Sequence, residues 1–239
     1  MTVHVLGVAA SPRSGATTRL VRACLKGVET IEGTTTEYVS LAGKNISYCD
    51  GCLSCVNAAT CHIDDDMHDM YPRMLRADAI VIGTPVYYGS PAGLCKAFME
   101  RVTGLGGIRE KKLRLKVGGA IAAGGSRNGG QETTLQALHL WFHINDMIPV
   151  GITSPVTQWG VTSSGGLGEE DVERDIFDLK MSGKQVPALG IAWMYGRKVA
   201  TVTSIVQAGR QATGFDLPDS PYGYELPESF PADVLHFDD

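Results

Sequence analysis

Four of the six cysteines in this chain lie within thirteen residues, in the stretch CDGCLSCVNAATC (49–61). The spacing C-x2-C-x2-C-x5-C puts four sulfur ligands into one loop, at Cys49, Cys52, Cys55 and Cys61. Three cysteines spaced in this way can coordinate one face of a cubane iron–sulfur cluster, and a cysteine a few residues further along the loop can supply the fourth sulfur. Four thiolates also satisfy tetrahedral zinc, and free thiols are a third possibility. The spacing favours a [4Fe–4S] cluster and leaves both alternatives open.

The composition is that of a soluble globular chain of 239 residues, with 44% apolar and 20% charged residues. The first residues lack the basic region and long apolar run of a signal peptide, and no stretch approaches the length of a membrane span. We therefore expect a cytoplasmic protein with no membrane partner, in which thiols stay reduced and compact cysteine clusters bind metals or act in catalysis. The other two cysteines, Cys24 and Cys95, fall in predicted helices, where we expect buried, inert thiols.

The net charge of −5 is unevenly distributed along the chain. From Thr213 onward there are seven acidic residues and no Lys or Arg, which leaves residues 1–212 at about +2. Neither part carries a basic stripe, so nucleic acid is not an expected partner. We predict one domain over 1–212 and an acidic tail rich in proline and aromatic residues over 213–239. The tail is expected either to be disordered or to pack along a neighbouring subunit of a homo-dimer or homo-tetramer.

Apolar runs alternate with amphipathic stretches along the chain, a βαβ pattern that predicts a parallel sheet with helices on both faces. Strands are predicted at 3–9, 35–41, 79–83, 117–124 and 147–152. Helices are predicted from the turn after the first strand to about Glu29, and at about 67–76, 93–102, 131–145 and 187–209. This rhythm predicts an α/β fold: a flavodoxin-like, doubly wound, five-stranded parallel sheet of order 2-1-3-4-5. The cysteine loop is an insertion in this fold, and the chain end is an extension.

The segment SPRSGATT (11–18) lies where the first strand ends and the first helix begins. The unpaired N–H groups and the dipole of a helix N-terminus favour an anion there. One hydroxyl would suffice to cap the helix. This segment offers four hydroxyls and a guanidinium, which favours a phosphate ligand: Ser11, Arg13, Ser14, Thr17 and Thr18. Neither G-x-x-x-x-G-K-[ST] nor G-x-G-x-x-G after a strand is present, so the loop does not predict nucleoside-triphosphate or dinucleotide binding.

Three segments together carry a family resemblance. SPRSGATT resembles the phosphate loop of the flavodoxin-like NAD(P)H-dependent FMN reductases, and GTPVYYGSPAGLCKAFMER (83–101) resembles a second segment of that family. YCDGCLSCVNAATCHIDDDM (48–67) is similar to the compact cysteine motif of the iron–sulfur flavoproteins, a branch of the same superfamily. The segments occur in family order within about residues 3–152. Thr17 stands where Asn or Ser is usual, a departure that keeps a hydroxyl donor.

The resemblance implies a bound FMN. The five polar residues of SPRSGATT would hold its phosphate, the segment 84–90 would pass along the isoalloxazine, and 124–130 would form a third flavin loop. The candidate residues of these last two segments are Thr84, Pro85, Val86, Tyr87, Tyr88, Gly89, Ser90, Gly124, Gly125, Ser126, Gly129 and Gly130. All three segments follow predicted strands, and the carboxyl ends of strands are where such sheets bind ligands.

The resemblance also implies a reaction. Electrons would pass from NAD(P)H or ferredoxin through FMN and a [4Fe–4S] cluster to a small-molecule or protein acceptor, with the cofactors carrying the chemistry. Two alternatives remain. One is a plain NAD(P)H-dependent FMN or quinone reductase whose cysteines hold zinc or nothing, and the other is a non-catalytic electron carrier or redox sensor.

Other candidate ligands have simpler interpretations. His139 and His143 lie one helical turn apart, but the apolar residues between them predict a packed helix rather than a metal pair. The aspartates of 64–66 precede a predicted helix, which indicates capping rather than cation binding. His62 follows the last cysteine and is a candidate for a hydrogen bond that tunes a cluster. Trp159 is a candidate for the acceptor pocket or for a subunit contact.

Overall fold

A computed structural model of the chain describes residues 2–56, 58, 60–105, 112–126, 128–152, 158–164, 180–181, 184–185 and 188–214. The helices of this part are α1 (Ala16–Val28), α2 (Met67–Arg76), α3 (Gly93–Arg101), α4 (Gln131–Ile144) and α5 (Ala188–Thr213). The strands are β1 (Val3–Ala9), β2 (Thr34–Ser40), β3 (Ala79–Tyr87), β4 (Ser90–Pro91), β5 (Val117–Ala123), β6 (Ile148–Val150), β7 (Val161–Ser163), β8 (Lys180–Met181) and β9 (Lys184–Gln185). Short 3₁₀ helices cover Ser54–Val56 and Val102–Leu105.

The main sheet has the strand order β2-β1-β3-β5-β6, and each of these pairs is parallel. Because β5 and β6 are the fourth and fifth strands expected from the sequence, this is the predicted order 2-1-3-4-5, and the α/β fold class is confirmed. Almost every residue of β1 and β5 is buried, because helices cover both faces of the sheet. This burial explains why these strands are continuous apolar runs instead of alternating patterns.

The fifth strand position differs from the prediction in one respect. In place of one strand over 147–152, two short strands pair with β5: β6 lies beside its first half and β7 beside its second half. Where the chain re-enters the sheet, a Cβ on Gly160 would lie 2.2 Å from the carbonyl oxygen of Ala120. Glycine alone permits this approach, and the apolar pattern of 147–152 carries no signal of it.

Helices cover the two faces of the sheet in two groups. α1 and α5 share one apolar cluster, and α2, α3 and α4 share the other. α1 and α5 touch backbone to backbone, because a Cβ on Gly27 would lie 1.9 Å from the Trp193 carbonyl oxygen. The last helix continues to Thr213, past its predicted end at about 209. Residues 215–239 lie outside the described residues, so the division into domain and tail stays a prediction.

The structure confirms the structural roles that the sequence predicts for Cys24, Cys95 and His139. Cys24 and Cys95 are fully buried, and burial raises the pKa of each thiol to about 12, which leaves them protonated and unreactive. His139 is buried as well, and its ring packs edge-on against Trp159 and Phe142. Within the described part of the chain, no helix is both long and apolar enough to cross a membrane.

Candidate functional site

The loop between β1 and α1 is tied to the sheet and folded by its own side chains. The Ala10 N–H donates to the Gly83 carbonyl at 2.7 Å, which fixes the start of the loop against β3. The Ser11 hydroxyl donates to the Arg13 carbonyl at 2.7 Å and accepts from the Arg13 N–H at 3.3 Å. Ser11 is therefore buried in a tight turn and shapes the loop. Arg13 and Ser14 lie exposed at its rim.

The N-terminus of α1 has the donors that a phosphate requires. Its N-cap is Gly15, and within the described part of the chain no side chain makes a capping hydrogen bond to the first turn. Thr17 and Thr18 in that turn are buried, and the Thr18 hydroxyl has no hydrogen-bond partner among the described residues. The dipole of the helix favours negative charge at this end. An uncapped helix end beside a buried, unsatisfied hydroxyl fits a phosphate monoester.

The second predicted segment, 84–90, forms a β-hairpin, whereas the sequence predicts that the strand before it ends at residue 83. β3 runs on through Tyr87 and turns into the antiparallel β4 through Tyr88 and Gly89, whose φ angles are 50° and 76°. Two central residues with positive φ are typical of a type I′ turn. Thr84 is buried inside this structure: its hydroxyl accepts from the Ala92 N–H at 3.2 Å, so it braces the start of α3. The Tyr88 ring is fully exposed at the tip.

The third segment, 124–130, is organised by Gln131, a residue that the sequence reasoning missed. The Gln131 amide donates to the Ser126 carbonyl at 2.6 Å and accepts from the Gly129 N–H at 2.8 Å. The Gly124 N–H donates to the Ser163 carbonyl at 2.9 Å, which anchors the segment to β7. Ser163 was missed too, because the sequence predicts no strand between the one at 147–152 and the helix at about 187–209.

This third segment also touches the tip of the hairpin. Gly130 has a φ of 103°, and a Cβ there would lie 2.4 Å from the Gly89 Cα. Two buried hydroxyls beside the segment, those of Thr134 and Ser163, have no hydrogen-bond partner among the described residues. Two hydroxyls without partners in the described part of the chain, and the close contact between Gly89 and Gly130, therefore lie at the same edge of the sheet.

The three segments meet around one pocket of about 240 Å³ at the carboxyl edge of the sheet. Its predicted lining residues are Ser11, Arg13, Thr17, Pro85, Val86, Tyr87, Gly124 and Gly125. Three small residues outside the predicted set of binding residues also line it, namely Gly15, Ala16 and Ala123, each next to a predicted one. The remaining predicted residues lie in the same segments without lining the pocket: Ser14, Thr18, Thr84, Tyr88, Gly89, Ser90, Ser126, Gly129 and Gly130.

The cysteine loop lies on the face of the sheet that α2, α3 and α4 cover. It contacts α3 and the 3₁₀ helix that follows α3. All four of its cysteines are free thiols; Cys52 is exposed and the other three are half-buried. Positive φ angles at Gly51 (73°) and Leu53 (60°) turn the backbone around Cys52. Cys55 belongs to a 3₁₀ helix that packs on Val102–Leu105, and Cys61 packs against the apolar core. The four thiols are the donor type that an iron–sulfur cluster requires. Among the described residues, however, the structure does not bring the four sulfurs together: the group of candidate ligand atoms within 4.8 Å of one another contains Cys52 and no other cysteine.

A carboxylate and an imidazole lie beside Cys52. His62 Nε2 lies 2.9 Å from an Asp50 carboxylate oxygen, and His62 Nδ1 lies 3.9 Å from the Cys52 sulfur. One ligand atom from each of the three residues falls within 4.8 Å of the others. A hydrogen bond from the Cys52 N–H is the main cause that lowers the pKa of Asp50, so this carboxylate is ionised. The group can orient His62 toward a cluster ligand, and it also suits zinc, so the zinc alternative keeps a structural basis.

Three glycine-containing segments that converge on one pocket at the edge of a flavodoxin-like sheet define the chain as a flavin-dependent oxidoreductase. Over residues 3–160 the chain matches the family described as NADPH-dependent FMN reductase. It is 40% identical over 207 residues to an iron–sulfur flavoprotein of Methanocaldococcus jannaschii, a match that covers 86% of this chain and 100% of that protein.

Two further comparisons support the class and the fold. A NAD(P)H dehydrogenase (quinone) of Rhizobium meliloti is 32% identical over 142 residues, which cover 56% of this chain and 63% of that protein. A solved structure of a WrbA-like flavodoxin from Agrobacterium tumefaciens has a TM-score of 0.55 at 20% identity, over 86% of this chain and 99% of that one. This chain therefore belongs to the NADPH-dependent FMN reductase family and, within it, to the iron–sulfur flavoprotein branch.

Proposed function

We propose that the chain holds FMN in the three-segment pocket and a [4Fe–4S] cluster in the cysteine loop, and moves electrons between them. The donor is NAD(P)H or ferredoxin, and the acceptor is a small molecule or a protein that takes electrons from the cluster. The observation that carries the proposal is the coexistence, in one chain, of a flavin-reductase pocket and four free thiols in a single loop.

Each part of the pocket has a separate task in this proposal. The N-terminus of α1 binds the phosphate through its N–H groups, with Arg13 and Thr17 from the pocket lining and the Thr18 hydroxyl, partnerless among the described residues, from the same helical turn as further donors. Gly124 and Gly125 permit close backbone approach to the ring system, and Tyr87 covers the pocket from the hairpin. FMN, when bound, supplies both two-electron and one-electron transfer. The protein's own residues bind and orient it, and no side chain needs to act as an acid or a base.

The cysteine loop supplies the one-electron site. Cys49, Cys52, Cys55 and Cys61 are the proposed ligands, and a cluster near a flavin gives the loop an electron partner that zinc would not provide. We further propose that chains associate as a homo-dimer or homo-tetramer, with residues 213–239 packed along a neighbouring chain.

The test compares the parent protein with Cys52→Ala, both prepared without air. We expect iron and acid-labile sulfide in the parent, together with the broad visible absorbance of an iron–sulfur protein. In Cys52→Ala the cluster is lost or degraded, FMN still binds, and electron delivery through the cluster collapses. Cys24→Ala is the matched control, because it removes a fully buried thiol elsewhere and should leave the iron content unchanged. A parent with full FMN and no iron would end the cluster proposal.

A second candidate function is a plain quinone reductase, favoured by the likeness to the Rhizobium meliloti enzyme. It predicts steady quinone reduction by NAD(P)H that is the same in the parent and in Cys52→Ala. A third, a non-catalytic carrier or redox sensor, predicts bound cofactors with no steady-state oxidation of NAD(P)H. Turnover assays on the two proteins separate these functions from the proposed one.

A further inference from the structure

The base of the cysteine loop is closed by a buried ion pair. Arg101 is the last residue of α3, and its side chain is 0% exposed, while that of Asp65 is 1% exposed. The two guanidinium nitrogens lie 2.6 Å and 3.0 Å from the two carboxylate oxygens of Asp65, a bidentate arrangement. This geometry joins α3 to the segment that follows the last cysteine, and bidentate pairs of this kind are directionally specific.

The same two side chains also hold the backbone on both sides of the loop. Arg101 donates to the Ser47 carbonyl and to the Ile63 carbonyl, each at 3.1 Å. Asp65 accepts from the Ser47 N–H at 2.9 Å and from the Met67 N–H at 3.1 Å. Because Ser47 precedes Cys49 and Ile63 follows Cys61, these bonds fix both ends of the loop relative to each other.

The Arg101 guanidinium also brings a permanent charge to the base of the loop, because it donates to the Ile63 carbonyl, two residues after Cys61. The Tyr71 hydroxyl donates to the Arg101 carbonyl at 2.9 Å, and a Cβ on Gly104 would lie 2.2 Å from that hydroxyl and 3.1 Å from the Cys61 Cβ. Burial acts to lower the pKa of Arg101, but the hydrogen bond to Asp65 and the nearby Tyr71 and Cys61 raise it, so the guanidinium stays charged. Its Nε has no hydrogen-bond partner among the described residues.

We propose that Arg101 and Asp65 are positioning residues for the metal site: they clamp the two ends of the cysteine loop, and the Arg101 charge, which the Ser47 and Ile63 carbonyls hold at the base of that loop, sets the reduction potential of the cluster. The inference rests on the proposed function. A positive charge held in a buried, low-dielectric region stabilises the electron added on reduction, whereas a negative charge opposes it. The clamp itself needs no cluster, because its bonds are all made between protein groups.

The experiment compares Arg101→Lys, Arg101→Gln and Asp65→Asn with the parent, all prepared anaerobically. The matched control is Arg114→Gln, which removes another arginine–aspartate pair, the one with Asp146 at 3.7 Å. Three quantities are measured: iron retained per FMN under a chelator, the midpoint potential of the cluster, and the rate of proteolysis within 47–65 in protein freed of its cluster.

We expect Arg101→Gln to lose iron about 10-fold faster than the parent, as removal of an outer-shell partner does at other metal sites, at unchanged FMN content. Its potential should fall, because a positive charge is gone, whereas that of Asp65→Asn should rise, because a negative charge is gone. Arg101→Lys keeps the charge but cannot bridge a carboxylate and two carbonyls. It should therefore lose iron as Arg101→Gln does, while its potential stays close to that of the parent.

Opposite shifts of the midpoint potential in Arg101→Gln and Asp65→Asn would show an effect of charge. General damage to the metal site would shift both potentials in the same direction, and that result would overturn the proposal. Iron retention and potentials equal to those of Arg114→Gln would overturn it too. A parent without iron would instead defeat the proposed function; the clamp is then judged by proteolysis alone. Faster cutting in Arg101→Gln than in Arg114→Gln supports the clamp, and equal cutting refutes it. Should Arg101→Gln fail to fold, Arg101→Lys and Asp65→Asn carry the same comparison.

Discussion

Removing the unsatisfied hydroxyl of Thr18 should change the stability of the FMN-free protein and its affinity for FMN in opposite directions. Thr18→Val keeps the shape of the side chain and removes a buried hydroxyl that has no hydrogen-bond partner among the described residues. Such a group costs about 1–3 kcal/mol relative to an apolar one. We therefore expect the FMN-free protein to become more stable by about 1–2 kcal/mol, the lower part of that range, because the first turn of α1 can relax toward solvent.

Binding of FMN should change in the opposite direction. If Thr18 donates to the phosphate, it makes a hydrogen bond to a charged group, which contributes about 1.5–3 kcal/mol. The variant should then bind FMN about 10- to 150-fold more weakly. A stabilised apo-protein with weakened FMN binding is the signature of a hydroxyl kept for its ligand rather than for the fold.

The assays are urea unfolding of the FMN-free protein and fluorescence titration with FMN. The matched control is Thr203→Val on α5, whose buried hydroxyl donates to the Val199 carbonyl at 2.7 Å. The control loses a satisfied hydrogen bond, so it should be slightly less stable and should bind FMN normally. Unchanged FMN affinity in Thr18→Val would refute the placement of the phosphate at this hydroxyl. Loss of apo stability would refute the view that the hydroxyl is unsatisfied.

Two further predictions concern the rim of the pocket and the end of the chain. Arg13→Ala should weaken FMN binding by about 1.5–3 kcal/mol, because a charge-assisted hydrogen bond is lost; an unchanged Kd in the same titration would contradict this. Truncation after Gly214 leaves α5 complete and removes the acidic segment. It should reduce the mass measured by light scattering from that of a dimer or tetramer to that of a monomer, and an unaltered mass would exclude a role for the tail in assembly.

The sheet could be predicted from the sequence because each of its buried strands is a separate apolar run. The bounds of α2 (Met67–Arg76) also match the prediction, because the apolar periodicity of that helix is local to it. The hairpin at 84–90 was missed because its turn uses Tyr88 and Gly89 instead of the Asn-Gly or Asp-Gly pair that indicates a type I′ turn. A non-glycine residue with positive φ leaves no mark in a single sequence.

The pocket could be predicted only as three separate segments. Each follows a strand of a parallel sheet, so their convergence at one edge is a consequence of topology. The residues that shape them are set by long-range contacts. Gln131 reads as the start of a helix, and Ser163 belongs to a strand that the sequence does not reveal. Sequence reasoning finds the groups that touch a ligand more readily than those that hold these groups in place.

Asp65 shows why the clamp could not be predicted. The aspartates before α2 were expected to cap that helix, and Asp65 does accept a hydrogen bond from the Met67 N–H. The same carboxylate pairs with Arg101, 36 residues further along the chain. A local sequence pattern predicts the hydrogen bond to Met67 but carries no information about the pair with Arg101. That pair nevertheless lets the Asp65 carboxylate be buried away from solvent. One buried carboxylate therefore joins three parts of the chain: the start of α2 at Met67, the end of α3 at Arg101 and the backbone at Ser47 before the cysteine loop.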